Sequence, residues 1–310
     1  MPKTAKNPAD YILPLNMNGL FGRMLRMPCS KDKKREILFI YGHHALLERW
    51  MGLIENLSDY GNVTAPDMPG FGDMDSFYKI GTKPTIDAYA DYLAAFIKLR
   101  YKNKRVTIVA VSYGFVVITR MLQRYPEIAK KVNLLVSLVG FMHKGDLVIN
   151  PRVQRFDKYL ARLFATRPIA LIIRYGFLNK FVLKRLYSNL PWSKRRNTDV
   201  APDDFNKAMD FEVQLWQAND VRTHWLTTSE FLDLDNCSNF VALPVVHIVS
   251  KQDHYLNNLS VEQHMRQVFS GYKQFAAKSK AHVPSVIADK EAMAVLLPPG
   301  LRRILNKAAK

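Results

Sequence analysis

One serine in this chain stands where its hydroxyl can do chemistry. Ser112 lies between Ala110 and Gly114, in the run Val106-Thr107-Ile108-Val109-Ala110-Val111-Ser112-Tyr113-Gly114. The six residues before it are all apolar or β-branched, the pattern of a strand buried on both faces. After Gly114 the period changes: Phe115, Ile118, Leu122 and Tyr125 recur every three or four residues until Pro126 closes the segment. A sharp strand-to-helix turn at this junction lifts one side chain above a sheet. Its neighbours two places before and after must be small, because the two backbones pack closely there, and Ala110 and Gly114 meet that requirement. The first N–H of the helix then points to where an oxyanion forms, so the chemistry on offer is attack by a hydroxyl on a carbonyl carbon. No second small-x-Ser-x-Gly stretch occurs in the chain. Other titratable clusters carry less. His43-His44 lacks an accompanying carboxylate, and Asp73-x-Asp75 lacks further ligands, so no metal site is expected.

The turn needs a sheet to hold it, and the rest of the sequence supplies strands and helices in alternation. Tyr11 to Leu15 and Leu20 to Met27 read as strands joined by the hairpin signal Asn18-Gly19. Ile37 to Tyr41 reads as a strand, followed by a loop at Gly42-His43-His44 and a helix with Trp50, Leu53, Ile54 and Leu57 on one face. Asn62 to Ala65 is a further strand, ending in the loop Asp67-Met68-Pro69-Gly70-Phe71-Gly72. Thr85 caps a helix bearing Ile86, Tyr89, Leu93 and Ile97. Strands at Val132 to Val139, Val245 to Val249 and Tyr272 to Phe275 follow, with helices at Ser260 to Phe269 and Asp289 to Leu297. Such alternation predicts a mostly parallel sheet with helices on both faces. Residues 141–240 break it and read as helices only. The expected organisation is a core formed by residues 1–140 and 241–310, with 141–240 inserted as a helical lid.

Composition sets the remaining bounds. The 310 residues are 48% hydrophobic and 23% charged, ordinary for a globular chain, and two cysteines exclude a disulfide scaffold. The N-terminal stretch has no apolar core of the kind a secretory signal needs. Pro168 to Leu183, the longest apolar stretch, is interrupted by Arg174 and Lys180. A soluble cytoplasmic protein is the expectation. The charge is unusual: 45 Lys plus Arg against 27 Asp plus Glu leave +18. Twelve basic residues and one acid, Asp157, fall between Pro151 and Arg196, with Lys184, Arg185 and Lys194-Arg195-Arg196 as the tightest clusters. A block like this is either a solvated face or a surface for an anionic partner.

Five stretches together resemble the α/β-hydrolase superfamily, of the lid-bearing esterase and lipase kind. They are Ile37–Trp50, Ala65–Ser76, Ala110–Gly114, Pro244–Leu256 and Ala277–Met293, which span most of the chain outside 141–240. The resemblance implies that Ser112 is a nucleophile, His282 its base, and Asp253 the acid that orients His282. It places an oxyanion hole at the backbone N–H groups of His43 and Tyr113. The chain order Ser, Asp, His agrees with it. Asp146 is the rival acid and His254 the rival base. Three departures stand out: Ala110 in place of the commoner Gly, Tyr41 in place of the usual His before Gly42, and Met74 where the loop usually has Ser, with Ser76 two places on.

The expected function is hydrolysis of a carboxylic ester with an apolar acyl group, with no cofactor and a small molecule as substrate. Thioester, lactone, amide and C–C hydrolysis stay open, as does an idle hydrolase fold binding an anionic partner. Nucleic acid is disfavoured because no recognised nucleic-acid-binding signature is present. In the segment 141–240, Phe156, Tyr159, Leu160, Leu163 and Phe164 repeat at helical spacing, as do Leu171, Tyr175, Leu178, Val182 and Leu186. Stripes of this kind ordinarily pack a lid onto its core; the alternative is a cover that also touches an anionic membrane. The sequence does not give the oligomeric state.

Overall fold

The strand bearing Ser112 lies in the interior of the sheet that its β-branched neighbours help to build. The computed structural model describes residues 7–31, 33–179, 181–183, 185, 202–278, 282 and 288–307. Its strands are β1 (Ile12–Met17), β2 (Leu20–Met27), β3 (Glu36–Ile40), β4 (Asn62–Pro66), β5 (Val106–Val111), β6 (Val132–Leu138), β7 (Val241–Val249) and β8 (Phe269–Ala276). They form one eight-stranded sheet in the order β1-β2-β4-β3-β5-β6-β7-β8. Only β1 and β2 run antiparallel to their neighbours; every pair from β4 to β8 is parallel. The β1–β2 turn uses Asn18 and Gly19 at φ 55° and 79°, the geometry an Asn-Gly hairpin demands.

Helices connect the parallel strands. They are α1 (Met51–Ser58), α2 (Ile86–Arg100), α3 (Tyr113–Arg124) and the single turn α4 (Pro126–Ala129). Between β6 and β7 lie α5 (Pro151–Phe164), α6 (Arg167–Ile172), α7 (Pro202–Ala218) and α8 (Val221–Phe231). The chain closes with α9 (Asn258–Val268), α10 (Lys290–Met293) and α11 (Pro299–Lys307). Thr85 caps α2 as expected, its hydroxyl accepting from the Ala88 N–H. All six residues of β5 are buried, and both faces of the sheet carry apolar side chains into one continuous core.

Three features differ from the sequence reading. The expected closing helix at Asp289 to Leu297 is short and is followed by α11, which buries Leu301 and Leu305 completely. Pro299 opens α11, since proline is well tolerated in the first turn of a helix. α3 begins at Tyr113, directly on the serine, rather than after Gly114. The apolar stripe of α5 divides: Phe156, Tyr159 and Leu163 are exposed, Leu160 and Phe164 are half-buried with the Phe164 ring edge-on to Trp225 of α8, and the fully buried residues are Gln154 and Ala161. Of the basic clusters, Arg185 is exposed, while Lys184 and 194–196 lie outside the described residues, as does Leu186.

Candidate active site

Ser112 holds a backbone conformation that few L-residues adopt, φ 48° and ψ −120°. Such strain costs on the order of 1–3 kcal/mol and persists only where the surroundings fix it. Two constraints do so here. The Ser112 N–H donates to the Leu138 carbonyl at 3.0 Å, tying the turn to the end of β6. On the other side α3 presses so closely on the end of β3 that a Cβ at Gly114 would clash with the Tyr41 carbonyl oxygen. The chain therefore turns without room for a side chain at 114, and the serine side chain is lifted above the sheet.

His282 and Asp253 meet that side chain. His282 Nε2 is 3.0 Å from Ser112 Oγ, and His282 Nδ1 is 2.6 Å from Asp253 Oδ2. Asp253 lies in the loop after β7, where its Oδ1 accepts from the Tyr255 and Leu256 N–H groups. Those bonds fix the carboxylate, whose side chain is almost wholly buried. A carboxylate only accepts, so Nδ1 carries the imidazole proton and Nε2 is left to accept from the serine hydroxyl. The Tyr255 ring stands edge-on to His282, with centroids 5.4 Å apart.

The rival residues are elsewhere. His254 is exposed. Asp146 is fully buried and holds a different histidine: its Oδ1 accepts from His264 Nδ1 at 2.6 Å and from Ser260 Oγ at 2.8 Å. Its Oδ2 accepts the Met142 and His143 N–H groups. Ser260 and His264 stand four apart on α9, a spacing visible in the sequence, but nothing there shows that they share Asp146.

Gly42 brings the loop after β3 against the serine: a Cβ there would lie 3.2 Å from Ser112 Cβ. The next residue, His43, turns its ring toward α8, where Nε2 is 2.8 Å from Thr227 Oγ1 and 3.2 Å from the His224 carbonyl oxygen. The Thr227 hydroxyl donates to the Thr223 carbonyl, so it accepts from His43 Nε2–H. Burial, with His44 nearby, pushes the His43 pKa down to about 3, so the ring is neutral near pH 7. Phe71, Tyr113 and Phe231 stand edge-on around it. His224, Thr227 and Phe231 fall on one face of α8 at spacings of three and four. That periodicity was the available signal for this contact.

The departure at Tyr41 has a structural answer. Its hydroxyl donates to Asp67 Oδ1 at 2.8 Å and accepts from the Met68 N–H at 3.0 Å. Arg23 donates to the other Asp67 oxygen and reaches Glu48 as well. Burial holds the Asp67 carboxyl up at about 6 against the pull of Arg23. The phenol thus ties the end of β3 to the loop at 67–72. Ser76 bonds Thr223 of α8 at 2.8 Å, while Met74 is buried.

A mostly parallel sheet with a serine raised at the carboxyl end of an inner strand defines a hydrolase-type α/β fold. The family model described as alpha/beta hydrolase fold matches residues 37–286, and the chain belongs to that family. Solved structures agree in fold. A thermophilic esterase from Thermogutta terrifontis is 16% identical with a TM-score of 0.65, over 97% of this chain and 98% of that one. A carboxylesterase from the thaumarchaeon Nitrososphaera gargenis is 13% identical with a TM-score of 0.65, over 96% and 99%. An N-formylmaleamic acid deformylase from Pseudomonas putida is 12% identical with a TM-score of 0.61, over 92% and 98%. No curated protein matches the chain. At these identities the likeness is one of fold.

Proposed function

We propose that this protein is a serine hydrolase that cleaves a carboxylic ester with an apolar acyl group. The observation that carries the reading is the run of contacts from Ser112 Oγ to His282 Nε2 at 3.0 Å and from His282 Nδ1 to Asp253 Oδ2 at 2.6 Å. His282 takes the hydroxyl proton as Ser112 Oγ bonds to the ester carbonyl carbon. The N–H groups of Tyr113 and His43 hold the resulting oxyanion. Collapse expels the alcohol, which receives its proton from His282 and leaves an acyl-Ser112 ester. Water, deprotonated by the same imidazole, then releases the acid. Asp253 keeps the proton on Nδ1 and stabilises the imidazolium that forms twice in the cycle.

Residues 141–240 serve in this reading as a lid on a core built from 1–140 and 241–310, with α8 its innermost helix. An apolar acyl group is favoured because Tyr113, Phe231 and Phe141 cluster beside the serine turn, with ring centroids about 6 Å apart. The esterase and carboxylesterase that share the fold support the ester, and the deformylase makes the bond class the part to test. A fluorophosphonate probe should label the wild type and leave Ser112→Ala unlabelled; equal labelling would overturn the nucleophile. A series of p-nitrophenyl esters of increasing chain length should show kcat/KM rising beyond acetate. A fall along that series would overturn the apolar acyl preference.

A further inference from the structure

α5 turns Phe156, Tyr159 and Leu163 outward, while Phe164 packs on Trp225 of α8. Phe156 and Tyr159 are each 66% exposed and Leu163 is 50% exposed, although a helix packed on a core would bury them. At 3.6 residues per turn, Arg152, Phe156, Tyr159 and Leu163 share the face opposite Gln154 and Ala161. The exposure continues beyond α5, with Tyr175 and Phe181 at 78% and 76%. Single apolar residues on a surface need no explanation, but large ones repeated along one outward helix face mark a contact.

Charge says what the contact is with. Asp157 is the sole acid between residues 151 and 185. Arg152, Arg155 and Arg167 have no carboxylate partner among the described residues, whereas Lys158 is paired with Asp233. A second copy docked face to face would set these cations against each other. Nucleic acid would use the arginines and stack on the aromatic rings, but it has no use for Leu163, Leu171 and Ile172, which are also exposed. The surface of an anionic bilayer accepts all three kinds of side chain.

We propose that the outward face of α5 and α6 docks the protein on an anionic lipid bilayer. Phe156, Tyr159 and Leu163 sit at the boundary between headgroups and acyl chains, and Arg152, Arg155 and Arg167 contact headgroup phosphates. The apolar rim reaches the candidate active site. Val148, two residues before the Asn150 cap of α5, is exposed and its N–H donates to the Tyr255 carbonyl at 2.9 Å, and the Tyr255 ring contacts His282. Docking on this face would hold that rim near the bilayer. The proposal stands apart from the hydrolase reading, since binding and turnover are measured separately.

The test is co-sedimentation of the full chain with phosphatidylcholine vesicles, with and without phosphatidylserine, at ~0.15 M salt. The wild type should bind the phosphatidylserine vesicles more tightly and lose binding as salt rises. Replacing Arg152, Arg155 and Arg167 by Gln should weaken binding by about fivefold per residue. The combined change Phe156→Ser, Tyr159→Ser and Leu163→Ser should weaken it at least about tenfold. Both variants alter exposed positions and should hydrolyse a soluble short-chain ester at the wild-type rate. Any of three results would overturn the proposal: a wild type that ignores phosphatidylserine vesicles, a serine variant that binds them as well as wild type, or self-association that the serine variant abolishes. Retention on duplex DNA with a linear log–log salt slope, and none on vesicles, would do the same. If no protein turns over the ester, the hydrolase reading fails while the vesicle result still decides docking.

Discussion

Two carboxylate–histidine pairs in this molecule have the same length and different surroundings. Asp253–His282 and Asp146–His264 both bring Oδ to Nδ1 at 2.6 Å. In the first pair the far nitrogen of the imidazole faces Ser112. In the second the serine, Ser260, bonds the same carboxylate oxygen that the histidine holds. A hydroxyl on the carboxylate gives up its proton as a donor in a structural bond, whereas a hydroxyl on Nε2 offers it to a base. The pair alone therefore says little about chemistry; the position of the third group decides what it can do.

The largest expected effects break the first pair. Ser112→Ala or His282→Ala should lower kcat on a p-nitrophenyl ester by at least about 10³-fold, since groups that act as a unit lose most of their catalysis together. Asp253→Asn should keep the fold and lower kcat by roughly 10²–10⁴-fold, because the amide favours the wrong imidazole tautomer. Combining Ser112→Ala with Asp253→Asn should cost little more than Ser112→Ala alone. Additive losses would mean that the two residues do not work as a unit.

The same change in the second pair should act on stability. Asp146 accepts four hydrogen bonds with no exposure to solvent. In Asp146→Asn the amide N–H₂ would point at two of those donors. The expected loss is about 1–3 kcal/mol of unfolding free energy by denaturant titration, with kcat within a few-fold of wild type. If Asp146→Asn proves the more damaging change to kcat, the acid of the site lies after β6.

How much of this was legible beforehand follows from what each signal encodes. Ser112 stood out because Ala110 and Gly114 report a steric demand that α3 and β3 impose on each other. Asp253 and His282 were legible through the resemblance of Pro244–Leu256 and Ala277–Met293 to the family's acid and histidine loops, and both follow parallel strands, whose carboxyl ends meet at one edge of the sheet. The Asp146–His264 bond was not legible: two residues 118 apart meet through the packing of α9, which no local pattern encodes. The α5 stripe was visible, but periodicity does not say which way a stripe faces. The contact with α8 takes Gln154, Ala161 and the Phe164 ring, and leaves Phe156, Tyr159 and Leu163 on the other face. Gln154 Nε2 donates to the Lys144 and Leu232 carbonyls.

A third histidine, held by a hydroxyl in place of a carboxylate and feeling Asp253 only through its charge, sharpens the comparison through pH. His247 on β7 is 1% exposed with Nδ1 2.9 Å from Ser137 Oγ, and burial holds its pKa down at about 3. Its folded value lies below the unfolded value near 6.5, so the unfolded chain binds the proton more readily. The stability this group contributes is complete above pH 6.5 and is lost as pH falls from there toward 3. Each pH unit in that window costs about 1.4 kcal/mol. Thermal unfolding should show a lower Tm at pH 5 than at pH 7, and His247→Gln should flatten the slope by one group. An unchanged slope would mean that His247 is not the group being titrated.

The smallest effect tests how α8 supports the loop after β3. Thr227 Oγ1 accepts from His43 Nε2–H at 2.8 Å, and the His224 carbonyl at 3.2 Å offers a second acceptor. Thr227→Val keeps the shape and the β-branch while removing the closer acceptor. The imidazole N–H retains one partner, so the cost should stay within about 0.5–1 kcal/mol, a two- to five-fold fall in kcat with KM nearly unchanged. That is the result expected if His43 contributes its backbone N–H and its ring only steadies the loop. The ring is neutral near pH 7, so removing a neutral acceptor should leave the pH profile of kcat where it was. A loss of 10²-fold or more, or a shifted profile, would instead give the His43 side chain a part in the chemistry. The site would then have a second imidazole to account for beside His282.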